Sequence, residues 1–205
     1  DGGLADYVRI PAQAMERGGV FRAESNVSAV EAALAEPLGC VLNGAANYQP
    51  DAGDTVVVIG AGPIGLLHTQ VNRLYGASQV IVSDPAGERR ALAEKLGATH
   101  TVDPTAQDLG EFVRGLTDGR GADVAVICIG HNALVQQAFQ IVRKRGRVNA
   151  FAGFPKGALS NVDPNLIHYG ELVVTGASNS GRASHEKALR LISEGAIDVK
   201  SLHTH

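Results

Sequence analysis

Three spaced glycines and a later aspartate are the residues of this chain whose types and spacing best fit a chemical task. Gly60, Gly62 and Gly65 follow the apolar, β-branched run of residues 55–59, and Asp84 follows a second apolar run. Such glycines permit a tight turn, a close approach of the backbone to a pyrophosphate, and close packing of a helix on a strand. The helix that follows presents free N–H groups and the positive end of its dipole to phosphates. The pattern therefore predicts a dinucleotide site.

The side chains around these glycines indicate which dinucleotide is bound. Pro63 and Ile64 complete the turn that would hold the pyrophosphate. Asp84 can accept hydrogen bonds from both hydroxyls of an adenosine ribose, whereas the 2′-phosphate of NADP would meet its negative charge. The predicted cofactor is therefore NAD. Arg89, just inside the next helical segment, either flanks the adenosine or lies on a solvated helix face.

The elements that must position these residues alternate from about residue 54, as in the βαβ units of a parallel sheet. Apolar runs predict strands at residues 55–59, 79–83, 100–102, 123–129, 147–152 and 171–175. Helical spacing predicts helices at residues 27–35, 63–75, 88–96, 108–117, 133–144 and 184–193. The predicted fold class is α/β, with a doubly wound, six-stranded parallel Rossmann sheet.

The loops after the fourth, fifth and sixth predicted strands should complete the cofactor site. In an open α/β fold the ligand lies outside the carboxyl ends of the strands, where these loops begin. We expect them to contact the second ribose and the carboxamide mostly through backbone groups, so their side chains carry little information. The residues concerned are Cys128, Gly130, Gly153, Phe154, Ala177 and Ser178.

Composition and charge exclude several classes of protein. The chain has 205 residues, 44% of them hydrophobic, which is enough to bury a core. Its net charge is −3, and residues of both signs are interspersed along the sequence, which leaves no basic stripe for nucleic acid. No apolar run is long enough to span a membrane. Cys40 and Cys128 form neither a disulfide framework nor a metal knuckle, so a reducing cytoplasm is the predicted location.

Several stretches around the glycine turn resemble the zinc-dependent medium-chain alcohol dehydrogenases, most closely the sorbitol (L-iditol) and threonine dehydrogenase-like polyol branch. They are residues 2–8, 33–40, 60–65, 167–172, 195–198 and 202–205. The resemblance implies an oxidoreductase that transfers a hydride between the CH–OH group of an alcohol or polyol and NAD, with zinc assisting. It also implies a homo-oligomer. Asn43, where the polyol branch often has histidine, departs from the pattern.

The resemblance further implies that this chain, which begins at Asp1, is part of a longer polypeptide. Residues 1–37, with a strand-like start at 2–10, would be the remnant of a β-rich, GroES-like catalytic domain. Residues 38–180 would be the NAD-binding Rossmann domain, and residues 181–205 a helix and the start of the return to the catalytic domain.

The resemblance also assigns a metal role to one residue of this chain. Glu36 matches the family glutamate that ligates zinc or bonds its water, and a carboxylate oxygen is a suitable zinc ligand. The simpler interpretation is that Glu36 caps the helix at this junction. The position of Cys40 matches helix core in the family. The other zinc ligands of the family, a cysteine and a Gly-His-Glu pair, would lie upstream, so this chain alone would be incomplete for catalysis.

Three other functions stay open on the sequence. A zinc-free NAD(P)-dependent quinone or enoyl reductase of the same superfamily fits the fold, although Asp84 disfavours NADP. A dinucleotide-binding module without catalysis fits the incomplete zinc site. An S-adenosylmethionine methyltransferase also has a glycine loop and an acid after its second strand, but six alternating strands and Glu36 followed by Pro37 disfavour it.

Overall fold

Six parallel strands form one sheet in the structure. The computed structural model describes residues 5–157 and 159–203. The strands are β1 (Thr55–Ile59), β2 (Gln79–Ser83), β3 (His100–Val102), β4 (Ala122–Ile127), β5 (Val142–Ala150) and β6 (Val173–Gly176). They pair in the order β3-β2-β1-β4-β5-β6, and every neighbouring pair is parallel. This doubly wound order confirms the predicted fold class.

Helices cover both faces of this sheet. They are α1 (Ala12–Glu16), α2 (Ala29–Ala33), α3 (Ala35–Tyr48), α4 (Pro63–Leu74), α5 (Gly87–Lys95), α6 (Leu109–Leu116), α7 (Ala133–Ile141), α8 (Pro164–Gly170) and α9 (Arg182–Ser193), with a 3-10 helix at Lys200–Leu202. Val56 and Val58 of β1 pack with α3, α4 and α9, whereas Val57 and Ile59 pack with α6 and α7. Because both faces are covered, β1 and β4 are buried throughout. None of the helices described is both long and apolar enough to cross a membrane.

The segment before the sheet differs from the prediction. Residues 5–10 form no strand, and residues 2–4 of the predicted strand lie outside the described residues. The helix predicted at 27–35 is α2 followed directly by α3. A capping box starts α2, because Ser28 Oγ accepts from Glu31 N and the Glu31 carboxylate accepts from Ser28 N at 2.9 Å. α3 is buried on much of its surface, so it lacks the polar face that makes a helix visible in a sequence.

The fifth strand is longer and the helix before it shorter than predicted. α7 ends at Ile141 and β5 begins at Val142, so Arg143 lies on a strand rather than at a helix end. Its Nε donates to Oδ1 of Asp123 at 2.5 Å, and Asp123 also accepts from the backbone N of Thr55 at 2.8 Å. This partly buried ion pair ties the start of β5 to β4, and a register shift between the two strands accommodates the extra residues.

A short helix that the sequence pattern does not predict precedes the last strand. α8 begins at Pro164, after Asp163 Oδ1 accepts from the backbone N of Asn165 at 2.9 Å. β6 consequently begins at Val173 rather than at residue 171. α9 starts at Arg182, two residues before the predicted start at 184.

Candidate functional site

The glycine turn joins β1 to α4 at the carboxyl edge of the sheet. Gly60 has a φ of +106°, in the left-handed region that favours glycine. A Cβ on Gly65 would lie 1.8 Å from the carbonyl oxygen of Gly60, so the helix comes this close to the strand only without a side chain. Gly62 has an ordinary φ of −69°, and no described atom lies within 4 Å of the place its Cβ would take. The space beside Gly62 is therefore available to a ligand.

The N-terminus of α4 opens onto this space. Gly62 is its N-cap residue and provides no side-chain cap, and Pro63 occupies the first turn, where a missing N–H costs nothing. The backbone N–H groups of Ile64 and Gly65, in the first turn, therefore donate no hydrogen bond to an N-cap side chain. Together with the positive end of the helix dipole, they can bind an anion such as a phosphate.

Asp84 follows β2 and holds the glycine turn. Its side chain is 2% exposed, with Oδ2 accepting from the backbone N of Ala61 and Oδ1 from that of Ala86, both at 2.8 Å. An ionised carboxylate has about four lone-pair sites, so these two bonds leave capacity for ribose hydroxyls. Nη1 of Arg89 lies 3.9 Å from Oδ2, and the Arg89 side chain is 61% exposed. This guanidinium is thus near the carboxylate but largely in solvent.

The loops after β4 and β5 meet at the same edge. Cys128 donates its backbone N–H to Ile59 O at 2.9 Å, which joins the end of β4 to the end of β1. A Cβ on Gly130 would lie 2.0 Å from the carbonyl oxygen of Gly153, so the two loops touch through their backbones. Phe154 is half-buried beside them. Burial raises the pKa of the Cys128 thiol, which keeps it protonated.

Two asparagines of α3 hold the loop after β6. Asn47 Nδ2 donates to Gly176 O at 2.8 Å, and Asn43 Nδ2 donates to Asn179 O at 3.0 Å. These bonds flank residues 177–178, which the sequence predicts as cofactor contacts. The role of the two asparagines is not predicted. Their spacing of one helical turn is the signal that could have indicated it, since it puts both amides on one helix face.

Glu36 and Cys40 lie one turn apart at the start of α3. Sγ of Cys40 donates to Oε1 of Glu36 at 3.3 Å. Burial and the neighbouring carboxylate raise the pKa of the Cys40 thiol, so it is protonated at neutral pH. Glu36 is exposed, and α3 begins with Leu34 as N-cap residue and without a side-chain cap. The structure therefore gives no support to the simpler interpretation of Glu36 as a helix cap.

Comparison with known proteins identifies the family. The model of the zinc-binding dehydrogenase family matches residues 63–194. The chain belongs to this family. L-Threonine 3-dehydrogenase of Pyrococcus furiosus is 37% identical over 208 residues, which cover 100% of this chain and 57% of that protein. Erythritol/L-threitol dehydrogenase of Mycolicibacterium smegmatis is 36% identical over 205 residues, or 100% of this chain and 55% of that protein.

A solved structure gives the same result. It is that of a Sinorhizobium meliloti protein described as a zinc-binding dehydrogenase bound to NADP, with 36% identity and a TM-score of 0.84 over 88% of this chain and 53% of that one. The resemblance to the polyol branch of the zinc-dependent dehydrogenases is confirmed. The chain spans a little over half the length of the relatives that it matches.

The donor atoms described in this chain fit only part of a zinc site. Protein zinc has four ligands, or three and an open position for water or substrate. Glu36 and Cys40 offer one carboxylate and one protonated thiol. In residues 5–157 and 159–203, no group of three or more His, Cys, Asp or Glu side chains is placed to hold a metal ion. A complete site that includes Glu36 needs donors from outside the described residues.

Arg90, which the sequence does not single out, fixes the loop that carries Asp84. Its Nη1 donates to the carbonyl oxygens of Asp84 and Pro85 at 2.7 and 2.9 Å, and lies 3.2 Å from Oδ2 of Asp103. The neighbouring Arg89 extends into solvent instead. Two consecutive arginines carry no sequence signal for this difference, because only the phase of α5 decides which of them faces the loop.

Proposed function

We propose that this chain is the cofactor-binding part of an NAD-dependent, zinc-type dehydrogenase of small alcohols or polyols. The observation that carries the proposal is the glycine turn, where Gly62 leaves open space at the N-terminus of α4 and Asp84 lies buried against the turn. Family membership, and relatives named for threonine and for erythritol or threitol, support the reaction class. The reaction moves a hydride from the carbinol carbon to the nicotinamide ring, and the hydroxyl proton leaves as the carbonyl forms.

In the proposed complex the cofactor lies along the carboxyl edge of the sheet. Asp84 binds the adenosine ribose, with Arg89 beside it. The pyrophosphate lies against Gly60, Gly62, Pro63, Ile64 and Gly65. The nicotinamide half lies against the loops that contain Cys128, Gly130, Gly153, Phe154, Ala177 and Ser178. Residues 38–180 are then the NAD-binding domain, residues 1–37 belong to the catalytic domain, and residues 181–205 lead back towards it.

Glu36 is the proposed contribution of this chain to the zinc site. Zinc, when bound, polarises the hydroxyl of the alcohol and lowers its pKa. The exposure of Glu36 at the start of α3 and its position in the family pattern support this role. The thiol of Cys40, which donates a hydrogen bond to Glu36, orients the carboxylate in this proposal.

The test of the cofactor compares NADH with NADPH by fluorescence titration, a comparison that the NADP-bound relative makes necessary. We expect NADH to bind at least about tenfold more tightly, or roughly 1.4 kcal/mol, because the 2′-phosphate meets Asp84. Asp84→Asn, which removes the charge at nearly constant shape, should narrow this preference. Glu88→Gln, which removes an exposed charge from the first turn of α5, should leave it unchanged.

Two outcomes would contradict the assignment of NAD. Equal affinity of the unaltered protein for the two cofactors would show that Asp84 does not select between them. A loss of NADPH affinity alone in Arg89→Ala would assign a 2′-phosphate to this guanidinium, which lies 3.9 Å from the Asp84 carboxylate.

The proposal includes a homo-oligomer that forms through the free edge of the sheet. β6 is the last strand of the sheet, and its Val173 and Val174 are 51% and 44% exposed. An exposed edge with apolar side chains can pair with a second copy of the same strand. The proposed location is the cytoplasm, which suits the free cysteines Cys40 and Cys128.

A further inference from the structure

Three polar side chains form a cluster in the apolar core between α3 and α4. Tyr48, His68 and Asn72 are each fully buried. The Tyr48 hydroxyl lies 3.1 Å from Nδ1 of His68, and Asn72 Nδ2 donates to that hydroxyl at 3.0 Å and to the carbonyl oxygen of His68 at 2.7 Å. The proposed function uses none of these residues. Burying polar side chains in an apolar core is costly unless they are hydrogen-bonded, so this cluster calls for an explanation.

A hydrogen bond orients the buried imidazole. The Tyr48 hydroxyl lies 3.1 Å from Nδ1 of His68 and 3.3 Å from Oδ1 of Asn72, so it joins the imidazole to the asparagine. Burial lowers the pKa of His68 to about 3, so the ring is neutral, and its Nδ1 shares a hydrogen bond with the Tyr48 hydroxyl. Nε2 has no hydrogen-bond partner among the described residues. The orientation of the ring therefore depends on Tyr48.

This ring contacts the residue that begins the loop after β5. The His68 and Phe151 rings pack edge-to-face, with centroids 4.6 Å apart and planes at 84°. On α3, a Cβ at Gly44 would lie 2.9 Å from two ring atoms of Phe151, so this helix also packs tightly on the ring. The backbone N–H of Phe151 donates to Ile127 O at 3.2 Å. His68, α3 and the end of β4 thus confine Phe151 together.

We propose that His68 is a positioning residue for the nicotinamide half of the dinucleotide site, acting through Phe151 on the loop of residues 151–154. The inference rests on the proposed function, because it assumes that this loop contacts the cofactor. Asn72 holds Tyr48, Tyr48 orients His68, and the imidazole ring sets the position of Phe151. The glycine turn and Asp84, where the adenosine half would bind, take no part in these contacts.

The test compares NADH with ADP-ribose, which keeps the adenosine and the pyrophosphate but lacks the nicotinamide. Affinities are measured on the purified full chain, unaltered and as His68→Ala and Tyr48→Phe. We expect His68→Ala to weaken NADH about tenfold and ADP-ribose by less than about twofold, with a smaller loss of the same kind in Tyr48→Phe. Val113→Ala, a buried truncation in α6 on the opposite face of the sheet, should leave the ratio of the two affinities unchanged.

The possible outcomes separate this inference from the proposed function. If the unaltered chain binds neither ligand, the proposed function fails and the inference with it. If it binds both and His68→Ala weakens both equally, or neither, His68 is a packing residue and only the inference is overturned. If His68→Ala does not fold, Tyr48→Phe decides, since it removes one hydroxyl and keeps the ring: a selective loss of NADH affinity supports the inference and an unchanged ratio overturns it.

Discussion

One methyl group added at Gly62 should weaken cofactor binding and leave the stability of the fold nearly unchanged. The φ and ψ of Gly62 are −69° and 178°, which alanine adopts without strain, and the new Cβ would meet no described atom within 4 Å. Alanine is a poorer N-cap than glycine by roughly 0.5–1 kcal/mol. It also restricts the unfolded chain, which recovers about 0.4–1 kcal/mol. The two terms nearly cancel, so the melting temperature of Gly62→Ala should change by less than about 2 °C.

The same methyl group should obstruct the cofactor, because it occupies the space that a pyrophosphate needs to reach the N-terminus of α4. We expect NADH to bind Gly62→Ala at least about 100-fold more weakly, or roughly 2.7 kcal/mol. Thermal melting gives the readout. NADH at 100 times its Kd stabilises the unaltered protein by about 2.7 kcal/mol, which raises the melting temperature of a chain of this size by roughly 5–11 °C. The variant should show almost no such rise at the same concentration.

Gly65→Ala is the matched control with the opposite behaviour. Its Cβ would lie 1.8 Å from the carbonyl oxygen of Gly60 and 2.9 Å from the carbonyl carbon, so α4 and β1 must move apart. Overpacking of this kind costs about 1–3 kcal/mol, or roughly 2–12 °C in melting temperature without any ligand. Unchanged NADH affinity in Gly62→Ala would refute the pyrophosphate site at this turn. An unchanged melting temperature in Gly65→Ala would refute the close approach of helix and strand.

Three further predictions concern acid stability, a partly buried ion pair and the sheet edge. Burial lowers the pKa of His68 to about 3, whereas an unfolded histidine titrates near 6.5, so on acidification the unfolded state takes up the proton first. Between about pH 6.5 and pH 3 the free energy of unfolding should therefore fall by about 1.4 kcal/mol per pH unit through this residue. Urea titrations of His68→Gln at several pH values should show a free energy of unfolding that falls less steeply with pH. Burial raises the pKa of Asp123, but the hydrogen bonds from Thr55 and Arg143 outweigh burial, so the pKa is lowered overall. The ionised Asp123 therefore stabilises the fold above its unfolded pKa, and this stabilisation is lost as the pH falls through its folded pKa. Arg143→Ala should cost about 1–3 kcal/mol at pH 7 by chemical denaturation, because it leaves a buried carboxylate without its cation; a cost no larger than that of the exposed Arg145→Ala would refute this. If the proposed homo-oligomer forms, Val174→Lys, which puts a charge on the edge strand, should convert it to monomers in analytical ultracentrifugation, and an unchanged mass would exclude this edge as the interface.

The central part of the fold could be predicted because its signals are local. β1, β2 and β3 have the predicted bounds, since each is an apolar run bounded by turn residues. α3 lacks such a signal, because burial on much of its surface removes the polar face that marks a helix. The start of β5 could not be predicted either. Its residues are basic and polar, and Arg143 is held on the sheet by Asp123, twenty positions earlier in the sequence.

The same distinction applies to the candidate site. The glycine turn and the aspartate after β2 are fixed by their neighbours in sequence, and the sequence predicts both. Asn47 and Gly176 are 129 positions apart, and Asn43 and Asn179 are 136 apart. No local pattern connects such pairs, although they hold the loop after β6 in place. The contact between His68 and Phe151 is of this kind too, because it joins α4 to the residue that follows β5.

Asp84 links the stability of the turn to the choice of cofactor. Its two oxygens accept hydrogen bonds from Ala61 in the glycine turn and from Ala86 in the loop after β2. Replacement by alanine removes both bonds, so lost binding could reflect a displaced turn as well as a lost ribose contact. The Asp84→Asn variant keeps one acceptor oxygen and the shape of the side chain, but its new NH₂ group cannot accept. If Asp84 selects the cofactor through charge, the ratio of NADH to NADPH affinity should fall in this variant, whatever the change in melting temperature. If Asp84 serves only the turn, the melting temperature should fall and the ratio should stay constant.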